Sequence, residues 1–363
     1  MDYRSTPSVR IDLDAAERNI KNALAKLEPL GISHRPHIKT HKSVFLARLQ
    51  LQTGCRGITC AKLGEAEVMA DGGITDILIA YPLIGPDKLE RYRSLLLREG
   101  MTVRTIINSV PGAKGLSDLG VSLGRRLPVC IELDGGIGRG GIKTGAPLRD
   151  FALAVKDLPG IAVTGILHYG GGVYGCKTKN EVRARLGAES REIRRCAAIL
   201  NEAGIHVPLI SGGSSFSLCF PEELTGITEV RAGNYIFNDN ALLSLDLTNE
   251  EDCALRIHAA VVARPDAETA IIDAGSKTLT SDLCANRPGY GFIIGEPEAE
   301  IYKLNEEHGF VKKEGGIDME IGQELCIIPN HACVIPNLCD EIYAFRSGRF
   351  EKAIPIDARG KNR

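Results

Sequence analysis

Short apolar runs rich in β-branched residues alternate along the chain with longer segments whose apolar positions recur at the spacing of one helix face. The runs fall at residues 33–38, 57–61, 76–81, 102–108, 128–134, 162–168, 207–210 and 227–231. Helical patterns fill the gaps, for example over 42–51, 65–71, 87–98 and 181–203. Eight strand–helix alternations predict an α/β chain whose residues 13–245 form a (β/α)8 TIM barrel. Pro36 lies inside the first run, and because proline donates nothing to a ladder it predicts a short or bulged first strand. Beyond Asn240 the helical period disappears. Segments such as LRIHAAVVAR, TAIIDAG and EIYAFRSGRFEKAIPID read as strands joined by turns, so residues 246–363 are expected to form a mostly β C-terminal domain. The opening SVRIDLD also reads as a strand, which places residues 1–12 with that later domain rather than with the barrel.

A length of 363 residues suits one large barrel with a smaller partner domain. With 44% hydrophobic residues and a net charge of −2, the chain can bury a large core and has no cationic excess to bring it to nucleic acid or an acidic membrane surface. No apolar stretch has the length of a membrane span, and MDYRSTPSVRIDLD puts charges where a secretion signal needs an apolar run. Eleven cysteines without a CxxC pair suit a reducing compartment. A cytosolic protein acting on a small molecule is expected.

Barrel chemistry belongs at the C-terminal ends of the strands. The first run ends in RPHIKTHKS, which puts Lys39 at the rim with His37 on the same face by strand alternation. Glycine-rich segments follow the later runs: GGIGRGGI after Asp134, then LHYGGGVY, SGGSS and RAGNY. Glycines let backbone amides approach a ligand, and the loops after strands seven and eight are the usual phosphate cradle of such barrels. Gly212, Gly213 and Ser214 in one loop and Gly233 and Asn234 in the other are the expected phosphate contacts, with Tyr235 as an added phenolic donor. A desolvated lysine beside a phosphate is a nucleophile toward carbonyls, the chemistry that anchors pyridoxal phosphate. Arg139 either bonds that cofactor or pairs with Asp134 or Glu132. Tyr169 and Tyr174 either line the cofactor or pack, and His168 points either inward or into the helix layer. A metal-dependent hydrolase using His37 and His41 is an alternative, as is a cofactor carrier without turnover.

RPHIKTHKS, ELDGGIGRGGI, SGGSS, RAGNYIFND, IIDAGSK and PNHAC occur in the order found in the D-serine dehydratase and D-threonine aldolase family. The resemblance spans nearly the whole chain. It implies an alanine-racemase type of fold, pyridoxal phosphate held by Lys39 as a Schiff base, and a homodimer with active sites at the subunit interface. It also implies a metal site, matched by His331 and Cys333, whose imidazole and thiolate suit zinc and which a strand would point to one face. In the family His-x-Cys accompanies dehydration and His-x-Asp usually accompanies aldol cleavage. The expected reaction is therefore elimination of water from a D-3-hydroxy amino acid such as D-serine to a 2-oxo acid and ammonia, with Lys39 also serving as base at Cα. D-threonine aldolase cleavage and racemisation are the alternatives.

Overall fold

The computed structural model describes residues 5–363, so the first four residues of the N-terminal segment lie outside it. The described chain opens with β1 (Ser8–Asp12), which runs directly into α1 (Leu13–Leu27). The side chain of Asp12 accepts a hydrogen bond from Ala15 N at 3.1 Å and so caps the helix.

Eight parallel strands follow: β2 (Ser33–His34), β3 (Ile58–Cys60), β4 (Asp76–Pro82), β5 (Thr102–Ile107), β6 (Leu127–Leu133), β7 (Ile161–His168), β8 (Leu209–Gly212) and β9 (Glu229–Val230). Helices α2 (Val44–Thr53), α3 (Leu63–Asp71), α4 (Pro86–Leu96), α5 (Val110–Ser122), α6 (Ala146–Val155) and α7 (Lys179–Glu202) lie between them. The sheet runs β2-β9-β8-β7-β6-β5-β4-β3 and closes through a parallel bridge from His37 to Thr59, which makes the (β/α)8 barrel. Thr59 N donates to Pro36 O at 2.8 Å at that seam.

The seam is where the structure departs most from the sequence pattern. The strand expected over 33–38 stops at His34, and residues Ile38–Thr40 wind into a single 3-10 turn. Proline at 36 removes the ladder donor, after which the His37 ring caps the turn by accepting from Lys39 N at 3.4 Å. The seventh barrel strand is likewise shifted, from the expected 207–210 to Leu209–Gly212.

A polar chain crosses the barrel interior. Fully buried Arg35 donates through Nε to Glu229 Oε2 at 2.7 Å and in a fork to Asp76 at 2.8 and 3.0 Å. Ser211 Oγ donates to the other Glu229 oxygen at 2.8 Å and accepts from Arg231 Nη1 at 2.7 Å. Leu78, Ile106, Cys130 and Leu167 form an apolar layer beside it.

The second sheet has nine strands. They are β1 with β10 (Leu255–Ala263), β11 (Thr269–Ile272), β12 (Phe292–Ile293), β13 (Glu300–Leu304), β14 (Gly309–Lys312), β15 (Glu324–Ile328), β16 (Glu341–Arg346) and β17 (Arg349–Pro355). The N-terminal strand lies within this sheet, antiparallel to β10 and parallel to β16. Past β17 the chain returns to the barrel rim, where Ala358 N donates to Lys42 O at 2.9 Å and Lys42 Nζ donates to Asn362 Oδ1 at 2.8 Å. The eleven cysteines are all free. Among the described residues no helix is long and apolar enough to cross a membrane.

Candidate active site

A cavity of about 340 Å³ opens at the C-terminal rim, between the barrel and the second sheet. The barrel contributes His37, Lys39 and Thr40 after β2, Tyr169 and Tyr174 after β7, Gly213 to Ser215 after β8, and Arg231, Gly233 and Asn234 after β9. The β domain contributes Asp282 to Ala285, Asn330, His331 and Cys333. Ten of the residues singled out from sequence therefore border one space: His37, Lys39, Tyr169, Tyr174, Gly213, Ser214, Gly233, Asn234, His331 and Cys333.

Four do not. Arg139 borders an adjoining pocket that shares His37 and Lys39, its guanidinium 4.9 Å from the centre of the Tyr169 ring while Lys39 Nζ lies 5.5 Å from the same ring. It makes no ion pair with Asp134 or Glu132, whose Oε2 is taken by Asn108 at 2.8 Å. Gly212 is turned outward, because a side chain there would meet Ile193 and Ile227 of the outer packing. His168 is buried, with only its carbonyl engaged toward the site, accepting from Arg231 Nη2 at 2.7 Å. Tyr235 cannot serve as a phosphate donor: its ring packs on His34 and its hydroxyl accepts from Gln50 Nε2 at 2.9 Å, behind the loop. His41 is also withdrawn, fully buried with Nε2 3.1 Å from Gln50 Oε1, which removes the His37–His41 metal arrangement.

The His-x-Cys pair lies not in a strand but in the turn after β15, between Pro329 and the turn Ile335–Leu338, because prolines 329 and 336 interrupt any ladder there. What aligns it is Asp239. This fully buried carboxylate accepts through Oδ2 from His331 Nδ1 at 2.9 Å, Ala332 N at 3.0 Å and Asn234 Nδ2 at 2.6 Å, and through Oδ1 from Ala241 N at 3.1 Å. The acceptor at Nδ1 leaves Nε2 as the ring nitrogen with a lone pair for a ligand. Cys333 Sγ lies 3.1 Å from Thr40 Oγ1, directly after Lys39. Burial disfavours both charged forms, yet the two groups outweigh it for each other. The Cys333 thiolate and Asp239 hold the His331 pKa well above its ordinary value, and the His331 imidazolium with Lys39 brings the Cys333 thiol down. A thiolate and an oriented imidazole fit a zinc-like ion. Among the described residues no group of three or more His, Cys, Asp or Glu could hold one, so its other positions fall to water or substrate.

The rim loops fit a phosphorylated cofactor on a separate observation. Ser214 Oγ, a hydroxyl able to donate to an anion, is buried without a partner at the cavity edge, while the acceptors Asn234 Oδ1 and Asp282 Oδ2 are buried and unpaired there and call for a donor. Unpaired buried polar atoms are costly, so a polar ligand is expected to meet them. Gly213, at φ 76°, allows the turn that presents Ser214. Burial, followed by the charges of Lys39 and Arg231, holds His37 well below its ordinary pKa and so neutral. Burial also lowers Arg231 to about 10.

Sequence reasoning missed Arg231, Asp239 and Asp282. Arg231 stands at a strand end as Lys39 nearly does, and the same rule would have found it. Asp239 acts through a residue 92 positions away, which no local pattern reveals.

A lysine facing a histidine–cysteine pair across a polar cavity, at the rim of a (β/α)8 barrel, defines an enzyme. The model of the alanine racemase N-terminal domain matches residues 11–241, and that of a serine dehydratase domain matches residues 254–345. The chain is 33% identical to D-threonine aldolase of an Arthrobacter species over 99% of its own length and 93% of the relative's. It is 30% identical to 3-hydroxy-D-aspartate aldolase of Paracoccus denitrificans over 98% and 92%. To D-threo-3-hydroxyaspartate dehydratase of a Delftia species it is 32% identical over 90% of each chain. The solved structure of the Delftia enzyme superposes with a TM-score of 0.88, covering 97% of both chains. Solved variants of the same dehydratase replace one histidine by alanine and, in a metal-free form, one cysteine by alanine, at positions two apart. The chain belongs to the alanine racemase N-terminal domain family, in the branch of these aldolases and dehydratases, and is a lyase.

Proposed function

We propose that this lyase dehydrates a D-3-hydroxy amino acid, of which D-serine is the simplest, to a 2-oxo acid and ammonia, using pyridoxal phosphate and a zinc-like divalent ion. The observation that carries the reading is the placement of Lys39 and the oriented His331–Cys333 pair on one cavity. The Delftia dehydratase, altered at a cysteine in its metal-free form, supports a metal at the matching pair here.

Pyridoxal phosphate, when bound at Lys39, supplies a sink for charge developing at the substrate Cα. Ser214 and the backbone around Gly213, Gly233 and Asn234 hold the phosphate, and Arg139 and Tyr169 flank the Lys39 side chain. Lys39 Nζ, once the substrate amine has replaced it, accepts the Cα proton. The buried Arg231 keeps positive charge near it, while His37 stays neutral and adds none. His331 and Cys333 would hold the ion, whose chemistry there is Lewis-acid assistance to departure of the β-hydroxyl. Tyr174 packs edge-on against the His331 ring, centroids 5.5 Å apart, and shields that side from water. A homodimer and a cytosolic setting belong to the same reading, the first checked by sedimentation.

Two of the relatives are aldolases, which favours retro-aldol cleavage as the second reading. D- and L-3-hydroxy amino acids assayed for ammonia and for aldehyde, with zinc and with a chelator, separate the two. Metal-dependent ammonia release from D-isomers is expected. Aldehyde without ammonia would transfer the assignment to the aldolases, and no product from any member would leave a cofactor carrier.

A further inference from the structure

The wall opposite Lys39 carries an acid with no partner. Asp282 borders the cavity, its Oδ2 is buried without a hydrogen bond, and its side chain makes no ion pair among the described residues. Its position is nevertheless fixed. Asp282 N donates to Thr280 Oγ1 at 3.1 Å and Asp282 O accepts from Asn330 Nδ2 at 3.0 Å. Asn330 directly precedes His331 and is itself buried, also donating to Gly289 O at 2.8 Å and accepting from Asn240 Nδ2 at 2.7 Å. The backbone of Asp282 is therefore anchored by the same short segment that presents His331 and Cys333, and its carboxylate borders the cavity without a partner.

The cations of this cavity are Lys39, Arg231 and His331, and each is engaged elsewhere: Lys39 faces the Tyr169 ring, Arg231 bonds Ser211 and His168 O, and His331 bonds Asp239. Leu283, 71% exposed, Cys284 and Ala285 complete the wall beside Asp282, and a further cation at this wall, Lys177, is engaged by the Ala285 carbonyl. Asp282 lines the same cavity as Lys39 and the His331–Cys333 pair, so a substrate held between them can present its remaining β-substituent to it.

We infer that Asp282 is a specificity determinant that admits D-3-hydroxy amino acids with uncharged side chains, of the serine and threonine type, and rejects those with a second carboxylate. The inference rests on the lyase reading above. A hydrogen or methyl at Cβ meets Asp282 without penalty, and a hydroxyl can donate to the unpaired Oδ2. A carboxylate meets an unpaired like charge in a partly enclosed cavity, where repulsion is weakly screened. Three relatives are named for 3-hydroxyaspartate, so the assignment separates this chain from them.

The test measures kcat/KM for D-serine, D-threonine and D-threo-3-hydroxyaspartate with the holoenzyme, for the unaltered protein and for Asp282→Asn and Asp282→Ser. Release of ammonia and of aldehyde are both recorded. The unaltered enzyme should favour the better neutral substrate over the dicarboxylate by at least about tenfold, a modest expectation for one like-charge contact. Both substitutions should shrink that ratio by a similar factor, chiefly through the KM of the dicarboxylate. An unaltered enzyme that prefers 3-hydroxyaspartate overturns the assignment without help from any variant, as does a ratio that both substitutions leave alone. If no substrate yields ammonia or aldehyde, the lyase reading itself falls and the assignment falls with it.

Discussion

Asp239 shows how a single residue can set the chemistry of a distant one. A fully buried carboxylate persists only where donors surround it, and here the donors come from both the loop after β9, through Asn234, and the turn after β15, through His331 and Ala332. Asp239→Asn keeps the shape but turns a donor toward His331 Nδ1 or toward Ala332 N. Zinc affinity, measured by competition with a chelating dye, should fall about ten- to a hundredfold, the usual cost of disturbing a ligand's supporting hydrogen bond. Unchanged affinity in a folded variant would mean that His331 needs no orienting partner. The division of labour between Lys39 and Cys333 is testable with the same protein. Lys39→Ala should lose the borohydride-fixable attachment of cofactor and all turnover together, whereas Cys333→Ala should keep the attachment and lose zinc. Loss of both properties in both variants would contradict separate sites for anchor and metal.

Among the elements, the rim segment Gly171–Gly175 and the residues before it depend on α7 beneath them. A side chain at Gly170 would land on the Glu189 carboxylate, and one at Gly172 on the Arg185 guanidinium, so these two glycines seat the segment that carries Tyr169 and Tyr174. Burial raises the Glu189 pKa from its ordinary 4.5 to about 7, only partly opposed by Arg185, and Oε1 has no hydrogen-bond partner. The folded state thus holds a proton that the unfolded state has lost. Stability from this group is full below pH 4.5, declines as pH rises to about 7, and changes no further above that. Glu189→Gln should abolish that decline and melt higher than the unaltered protein at pH 8, with little difference at pH 5. Buried His34, His41 and His168, each lowered to about 4, slope the other way in both proteins, so the difference isolates Glu189. Parallel melting curves across this range would remove Glu189 from the account. None of this was legible in LHYGGGVYGC, where the glycines read only as a flexible rim loop rather than as room for two side chains from α7. Barrel strands such as β4 and β6 were legible because burial on both faces writes an unbroken apolar run. Pro36 announced the short first strand, whereas the His331–Cys333 turn was misread as a strand because Pro329 and Pro336 break the ladder from which alternation was argued.

The whole molecule solves the problem that Pro36 creates. With the first strand reduced to two residues and joined to β3 by a lone bridge, backbone hydrogen bonds alone close the barrel weakly at this seam. Arg35 spans the gap from inside, gripping Glu229 on the neighbouring β9 on one side and Asp76 on β4, beyond β3, on the other. The grip extends to the active site, because the Glu229 carboxylate also holds Ser211, which holds Arg231. Arg35→Met keeps the length and apolar stem of the side chain but leaves Glu229, almost wholly buried, without its cation. The expected loss is about 3–5 kcal/mol in urea unfolding, the cost of orphaning one partner of a buried pair. Glu229→Gln in the same chain should restore part of it, since the remaining group carries no charge to strand. The double variant is the sharper measurement: a buried ion pair that merely fills space would show two independent losses, whereas a clasp that closes the barrel predicts a double loss well below their sum. Additive losses would put the closure in the backbone bridge at His37 and Thr59 and leave Arg35 as packing.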